Sequence, residues 1–142
     1  MPKIRLNNDT EKILGIWVEP WGEDYWMNPK EQFTVTTETP EGVDSDEEPF
    51  DVVFHDQGVS VCVNIGYEAI VYDQSGSEVD CGHQRPLEVL RRWTEAAEAA
   101  DQRTADSPTL REMTREHAES MRRELTQSEA TDEQAQECPP SP

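Results

Sequence analysis

The chain has 142 residues, of which 31 are Asp or Glu and 12 are Lys or Arg, for a formal net charge of −19, and only 34% are hydrophobic. That length suits one domain with an extension. The charge argues against phosphate-backbone binding and against an anionic membrane surface, both of which draw their energy from Lys and Arg.

The first part of the sequence predicts short strands. Phe33, Val35 and Thr37 alternate, as do Phe50, Val52 and Phe54, and the clearest run is Val59-Ser60-Val61-Cys62-Val63-Asn64-Ile65. This is the two-residue period of a half-buried strand. Further strands are expected over Lys3 to Asn7, Lys12 to Val18, Asp24 to Met27, Glu68 to Asp73 and Glu78 to Cys81. Turn-forming residues separate them at Asn7-Asn8-Asp9, Asn28-Pro29-Lys30, Asp56-Gln57-Gly58 and Gln74-Ser75-Gly76-Ser77. Seven to eight short strands predict a mainly β fold, a small antiparallel sandwich or barrel over residues 1–86. No long helix interrupts them, which argues against a parallel βαβ sheet.

Composition changes at Pro86, after which Gly is absent and Trp93 is the only aromatic residue. Pro86 suits a helix start. Leu87, Leu90, Trp93, Ala97 and Ala100 make one stripe at helical spacing, whose first turns are expected to pack on the β-domain with Trp93 buried. Ser107-Pro108 reads as an N-cap with Pro in the first turn, and Thr109-x-x-Glu112 as a capping box. The sequence therefore predicts a helical extension over 87–125, then a disordered acidic tail over 126–142. The acid excess lies mainly in residues 1–86, with 5 basic and 18 acidic side chains.

The segment from Trp17 to Met27 concentrates three of the four Trp residues with Tyr25 and three acids. Trp17, Glu19, Trp21, Glu23, Asp24, Tyr25 and Trp26 are the candidate partner-binding residues: Trp and Tyr anchor interfaces through large, rigid side chains, and the carboxylates suit a cation. The same residues could instead close one end of the sandwich and fill its core.

Glu38 to Glu48 forms an acidic loop in which Asp44-x-Asp46 suggests a hard-cation site, but the Gly of a calcium-binding EF-hand turn is missing. A solvated loop is the plainer reading. Three Cys, with no apolar signal segment in Met1 to Arg5, predict reduced thiols and a cytoplasmic location. Cys62, Cys81 and His83 are weak metal candidates, because thiolate and imidazole are zinc and copper ligands. No cofactor is called for. The chain carries no phosphate loop, nucleophile elbow or zinc-protease motif, so the expectation is not an enzyme.

Ile16-Trp17-Val18-Glu19-Pro20-Trp21-Gly22-Glu23-Asp24-Tyr25, followed by Met27-x-Pro29-x-Glu31-x-Phe33-x-Val35, resembles a pattern of small uncharacterised bacterial proteins, over roughly residues 3–86. Lys30 stands where that pattern has Gly, and the resemblance implies no activity, cofactor or site residue. The leading functional expectation is a non-enzymatic interaction module, an adaptor or immunity-like protein meeting a basic protein partner. The alternatives are a nucleic-acid mimic and a metal- or small-ligand-binding β-domain.

Overall fold

The computed structural model describes residues 1–43, 46–103 and 107–137, in a chain of two compact units, Met1–Arg85 and Pro86–Pro142. The first unit holds β1 (Lys3–Asn7), β2 (Leu14–Glu19), β3 (Glu23–Met27), β4 (Gln32–Thr37), β5 (Phe50–His55), β6 (Gly58–Val63) and β7 (Ala69–Tyr72). The second holds α1 (Leu87–Arg103) and α2 (Pro108–Glu137).

Two sheets form, a three-stranded sheet of order β1-β4-β7 and a four-stranded sheet of order β3-β2-β6-β5, and they do not close into a barrel. Alternation turns one face of each sheet inward. The larger sheet contributes Ile16, Val18, Tyr25, Met27 and Val61 to the core, and the smaller contributes Phe33, Val35 and Val71. Ile4, Leu6, Leu14, Phe50, Val63 and Ala69 pack around them. The alternating Val59, Val61 and Val63 face inward, so Cys62 faces out, half-buried.

Four features differ from the sequence expectations. The first is a parallel pair: β2 and β6 align Gly15 with Gly58 and Glu19 with Cys62. The crossover between them is made by β3, β4 and β5 instead of a helix. The second is the expected strand over Glu78 to Cys81, which is reduced to one bridge between Tyr72 and Glu78. The Asp73 carboxylate accepts from the Ser75 and Ser77 backbone N–H groups, and Gly76 has φ 84°, so the chain turns back tightly before a strand can extend.

The third concerns the expected disordered tail. Residues 126–137 continue α2. This stretch contains no Gly or Pro and is rich in Glu, Gln and Ala, so nothing interrupts the helix. Leu125 is buried at its start, and Arg91 of α1 pairs with Glu129 at 2.9 Å. Residues 138–142, including Cys138, lie outside the described residues.

The fourth concerns α1, whose buried residues are Val89, Leu90, Thr94 and Ala97, with Trp93 only half-buried. The buried stripe includes Thr94, whose Oγ1 donates to the Leu90 carbonyl at 2.8 Å and lies 3.4 Å from the Met121 carbonyl of α2. α2 begins at Pro108, with the Arg111 N–H donating to the Ser107 carbonyl, as the Ser-Pro start predicts. Asp44 and Ser45 of the acidic loop lie outside the described residues.

Phe33 is 1% exposed at the centre of the β core. Phe33→Ala should destabilise the first unit by about 3–5 kcal/mol, read as a lower urea midpoint by far-UV circular dichroism. A change within measurement error would contradict the core assignment.

Candidate functional site

The outward face of the four-stranded sheet gathers much of the aromatic segment. Strand register sets Trp26, Gly15, Gly58 and His55 in one row across four strands. The next row holds Asp24, Trp17, Ser60 and Val53, and the third holds Glu19, Cys62 and Asp51.

The two glycines make room for the Trp17 indole. A Cβ on Gly15 would lie 2.8 Å from the Trp17 ring and 3.0 Å from the Trp26 ring. A Cβ on Gly58, whose φ is 150°, would collide with the Gly15 carbonyl oxygen and lie 3.2 Å from the Trp17 ring. Trp17 therefore lies across the first row, edge-to-face with Trp26 at 5.6 Å and tilted against His55 at 5.2 Å. Such contacts favour the ring geometry seen here. The Gln57 N–H donates to His55 Nδ1, which leaves Nε2 to donate to Ser60 Oγ at 3.1 Å. Three rings thus form a shallow platform in which Trp17 stays half-exposed.

At the β3 end the platform is held by a buried charge pair. Asp24 is 4% exposed. Arg85 grips it with a fork, Nη2 to Oδ1 at 2.6 Å and Nε to Oδ2 at 2.8 Å. Trp26 Nε1 donates to Asp24 Oδ2 at 2.7 Å, and Cys81 Sγ lies 3.6 Å from Oδ1. Burial disfavours the charge on Asp24, but the donors from Arg85 and Trp26 outweigh it and hold the carboxyl below its usual range. The same loop lies along the outer edge of β3. The Gly82 N–H donates to the Asp24 carbonyl, and the Trp26 N–H to the His83 carbonyl. Gln84, at φ 57°, donates to the Trp26 carbonyl and to Glu31.

The seven expected partner residues do not share one open surface. Trp21 is 38% exposed at the β2–β3 turn, and Trp17, Glu19 and Glu23 are half-buried. Asp24, Tyr25 and Trp26 are buried. Tyr25 points into the core, with its hydroxyl donating to Glu23, and burial together with that carboxylate raises its pKa. Asp24 is occupied by Arg85 and Trp26 is tied to Asp24, so neither offers a contact to a partner in this arrangement.

The metal candidates also stand apart. Cys62 lies on the outward sheet face, Cys81 points at Asp24, and the His83 ring packs on Phe33 at 5.7 Å. Although Cys81 is exposed, partial desolvation of its thiol, reinforced by the Asp24 charge, pushes that thiol up. Among the described residues no three His, Cys, Asp or Glu side chains come together as a metal site.

Arg85 and Gly15 were not singled out by sequence reasoning, and Gly58 was read only as part of a turn. The glycines did carry a signal, because a Gly within a strand pattern marks a close approach by another group. No family model, curated protein or solved structure matches the chain. No helix among the described residues is long and apolar enough to cross a membrane.

Arg85→Ala leaves Asp24 as an unpaired buried charge and should cost about 3–5 kcal/mol in urea unfolding. Folding lowers the Asp24 pKa below its unfolded value of 3.8, so the stability this group contributes is present above that pH and is lost as pH falls through the folded value. The stability gap between wild type and Asp24→Asn should therefore narrow as pH falls from about 5 to about 2. A gap constant across that range would contradict the assignment.

Proposed function

We propose that this chain is a non-enzymatic interaction module that meets a cationic protein partner through the outward face of its four-stranded sheet. The observation that carries this reading is the Trp17 platform, braced by Trp26 and His55 and followed in register by the carboxylates of Glu19 and Asp51. An indole face attracts a Lys or Arg side chain through its quadrupole, and the effect strengthens beside carboxylates that favour the same charge. Trp21, in the β2–β3 turn, is 38% exposed and supplies a second accessible indole.

The unit's electrostatics favour the same kind of partner. Met1–Arg85 carries 5 basic and 18 acidic side chains. One of its few cations, Arg85, is buried against Asp24 and does not offset the surface charge. A field of that sign speeds encounter with a basic surface and weakens as salt rises.

Titration with poly-L-lysine, followed by tryptophan emission, tests the reading. Binding should be clear at about 50 mM NaCl and should weaken strongly at about 500 mM, where screening is several-fold tighter. The double variant Trp17→Ala, Trp21→Ala, followed by peptide anisotropy because it lacks the reporting indoles, should weaken a Lys-rich peptide by about tenfold or more. Unchanged affinity in the double variant would remove the aromatic face from the interaction, and no binding at low salt would remove the cationic partner.

A further inference from the structure

The two sheets have four edges, and three of them are guarded. β3 is covered by the 81–85 loop through the Trp26 N–H to His83 carbonyl and Gly82 N–H to Asp24 carbonyl bonds. β7 is covered by the returning chain, where the Val79 N–H donates to the Val71 carbonyl. β1 presents the exposed, charged Lys3 and Arg5, which discourage strand pairing. β5 differs. It pairs only with β6 among the described strands, and it exposes Phe54 at 80% and Val53 at 51%.

The Asn64 N–H donates to the Pro49 carbonyl, just before β5. From that bonded pair, antiparallel alternation turns the N–H and C=O groups of Phe50, Val52 and Phe54 away from β6, toward the open edge. Beside this edge lies a slot of about 190 Å³ between the sheets, apolar along Leu6, Leu14, Ile16, Val52, Phe54 and Val59, with Met27 also lining it and Arg5 and Asn7 of β1 as its polar lining. Such a volume is comparable to a cavity of about 150 Å³ that accepts benzene, enough for one apolar side chain.

We propose that the β5 edge binds an extended, Lys- or Arg-rich segment of a partner protein as an added strand, with one apolar side chain of that segment seated in the slot against Phe54. This rests on the cationic-partner reading above and extends the contact from the outward face to the edge of the same sheet. Charge selects the occupant. Asp46, Glu47 and Glu48 precede β5, Asp51 lies on it and Asp56 follows it, all exposed. A second copy paired edge to edge would bring these carboxylates against their own kind, whereas a basic strand would meet them with opposite charge. Main-chain bonds along the edge then supply affinity, and alternate side chains supply selectivity.

Two dye-labelled peptides test this, one alternating Lys and Val and one alternating Lys and Gly, each about ten residues so as to span six-residue β5 at ~3.3 Å per residue. Anisotropy at low salt should show the Lys/Val peptide binding about tenfold tighter or more. Phe54→Ser should abolish that excess, and since Phe54 is 80% exposed the variant retains its core. Independently of any protein variant, N-methylation of every second amide along one edge of the Lys/Val peptide should abolish it as well. Equal binding of the two peptides overturns the edge proposal and leaves the cationic reading standing, as does a Lys/Val preference that survives both changes. Binding of neither peptide overturns both. A wild-type dimer in sedimentation that Phe54→Ser converts to monomer assigns the edge to a second copy and overturns the proposal.

Discussion

Asp24 and Arg85 form the buried charge pair on which the arrangement of the larger sheet depends. A carboxylate 4% exposed is costly unless its lone pairs are filled, and here a guanidinium fork and an indole N–H fill them. Three consequences follow. The loop carrying Arg85 is drawn along β3, where it completes the main-chain bonding of that edge. Trp26 is fixed in one orientation through its own bond to Asp24. Trp17, packed edge-on to Trp26, is then confined to the space above Gly15 and Gly58. One ion pair thus closes one edge of the sheet and braces the aromatic face beside it.

The same pair shapes the surface charge. In a unit with 5 basic side chains, placing one of them against a buried carboxylate leaves 4 to face 17 remaining acids. Lys30 is taken up by a second pair, with Asp9, but both side chains are exposed and that contact adds little. Lys3 and Arg5 stand on β1, in the other sheet, and Arg5 lines the slot beside Val52 and Phe54. Against that one cation stand the exposed Asp46, Glu47, Glu48, Asp51 and Asp56, so the strand that exposes Phe54 and Val53 has a net negative setting.

The sequence made the strands legible because their inward residues alternate cleanly. Val59, Val61 and Val63, or Phe33 and Val35, report a pleated, half-buried backbone without any tertiary information. The two-sheet arrangement followed from strand number and spacing. The parallel pairing of β2 with β6 was not legible, since alternation gives the face of a strand and not its neighbour. The site was legible only in part. Clustering of Trp17, Trp21, Tyr25 and Trp26 marked the segment, but which residues were exposed depended on Arg85, distant in sequence from Asp24. Tyr25 was core by its parity with Met27, while Trp26 and Trp17 share the outward face and yet differ in burial because the loop carrying Arg85 lies beside Trp26. Residues 126–137 were misjudged because low hydrophobicity reads as disorder, whereas uninterrupted helix-forming residues and contacts with α1 extend the helix.

Residue-resolved amide hydrogen exchange, with and without the Lys/Val peptide, tests the central claim most directly. In the free protein, the Trp26 and Gly82 amides, bonded along the closed β3 edge, should exchange slowly, and the outward-facing Val52 and Phe54 amides should exchange fast. Adding the peptide should slow Val52 and Phe54 and leave Trp26 and Gly82 unchanged. Fast exchange at Trp26 and Gly82 in the free protein, or peptide-induced protection that bypasses β5, would contradict the account.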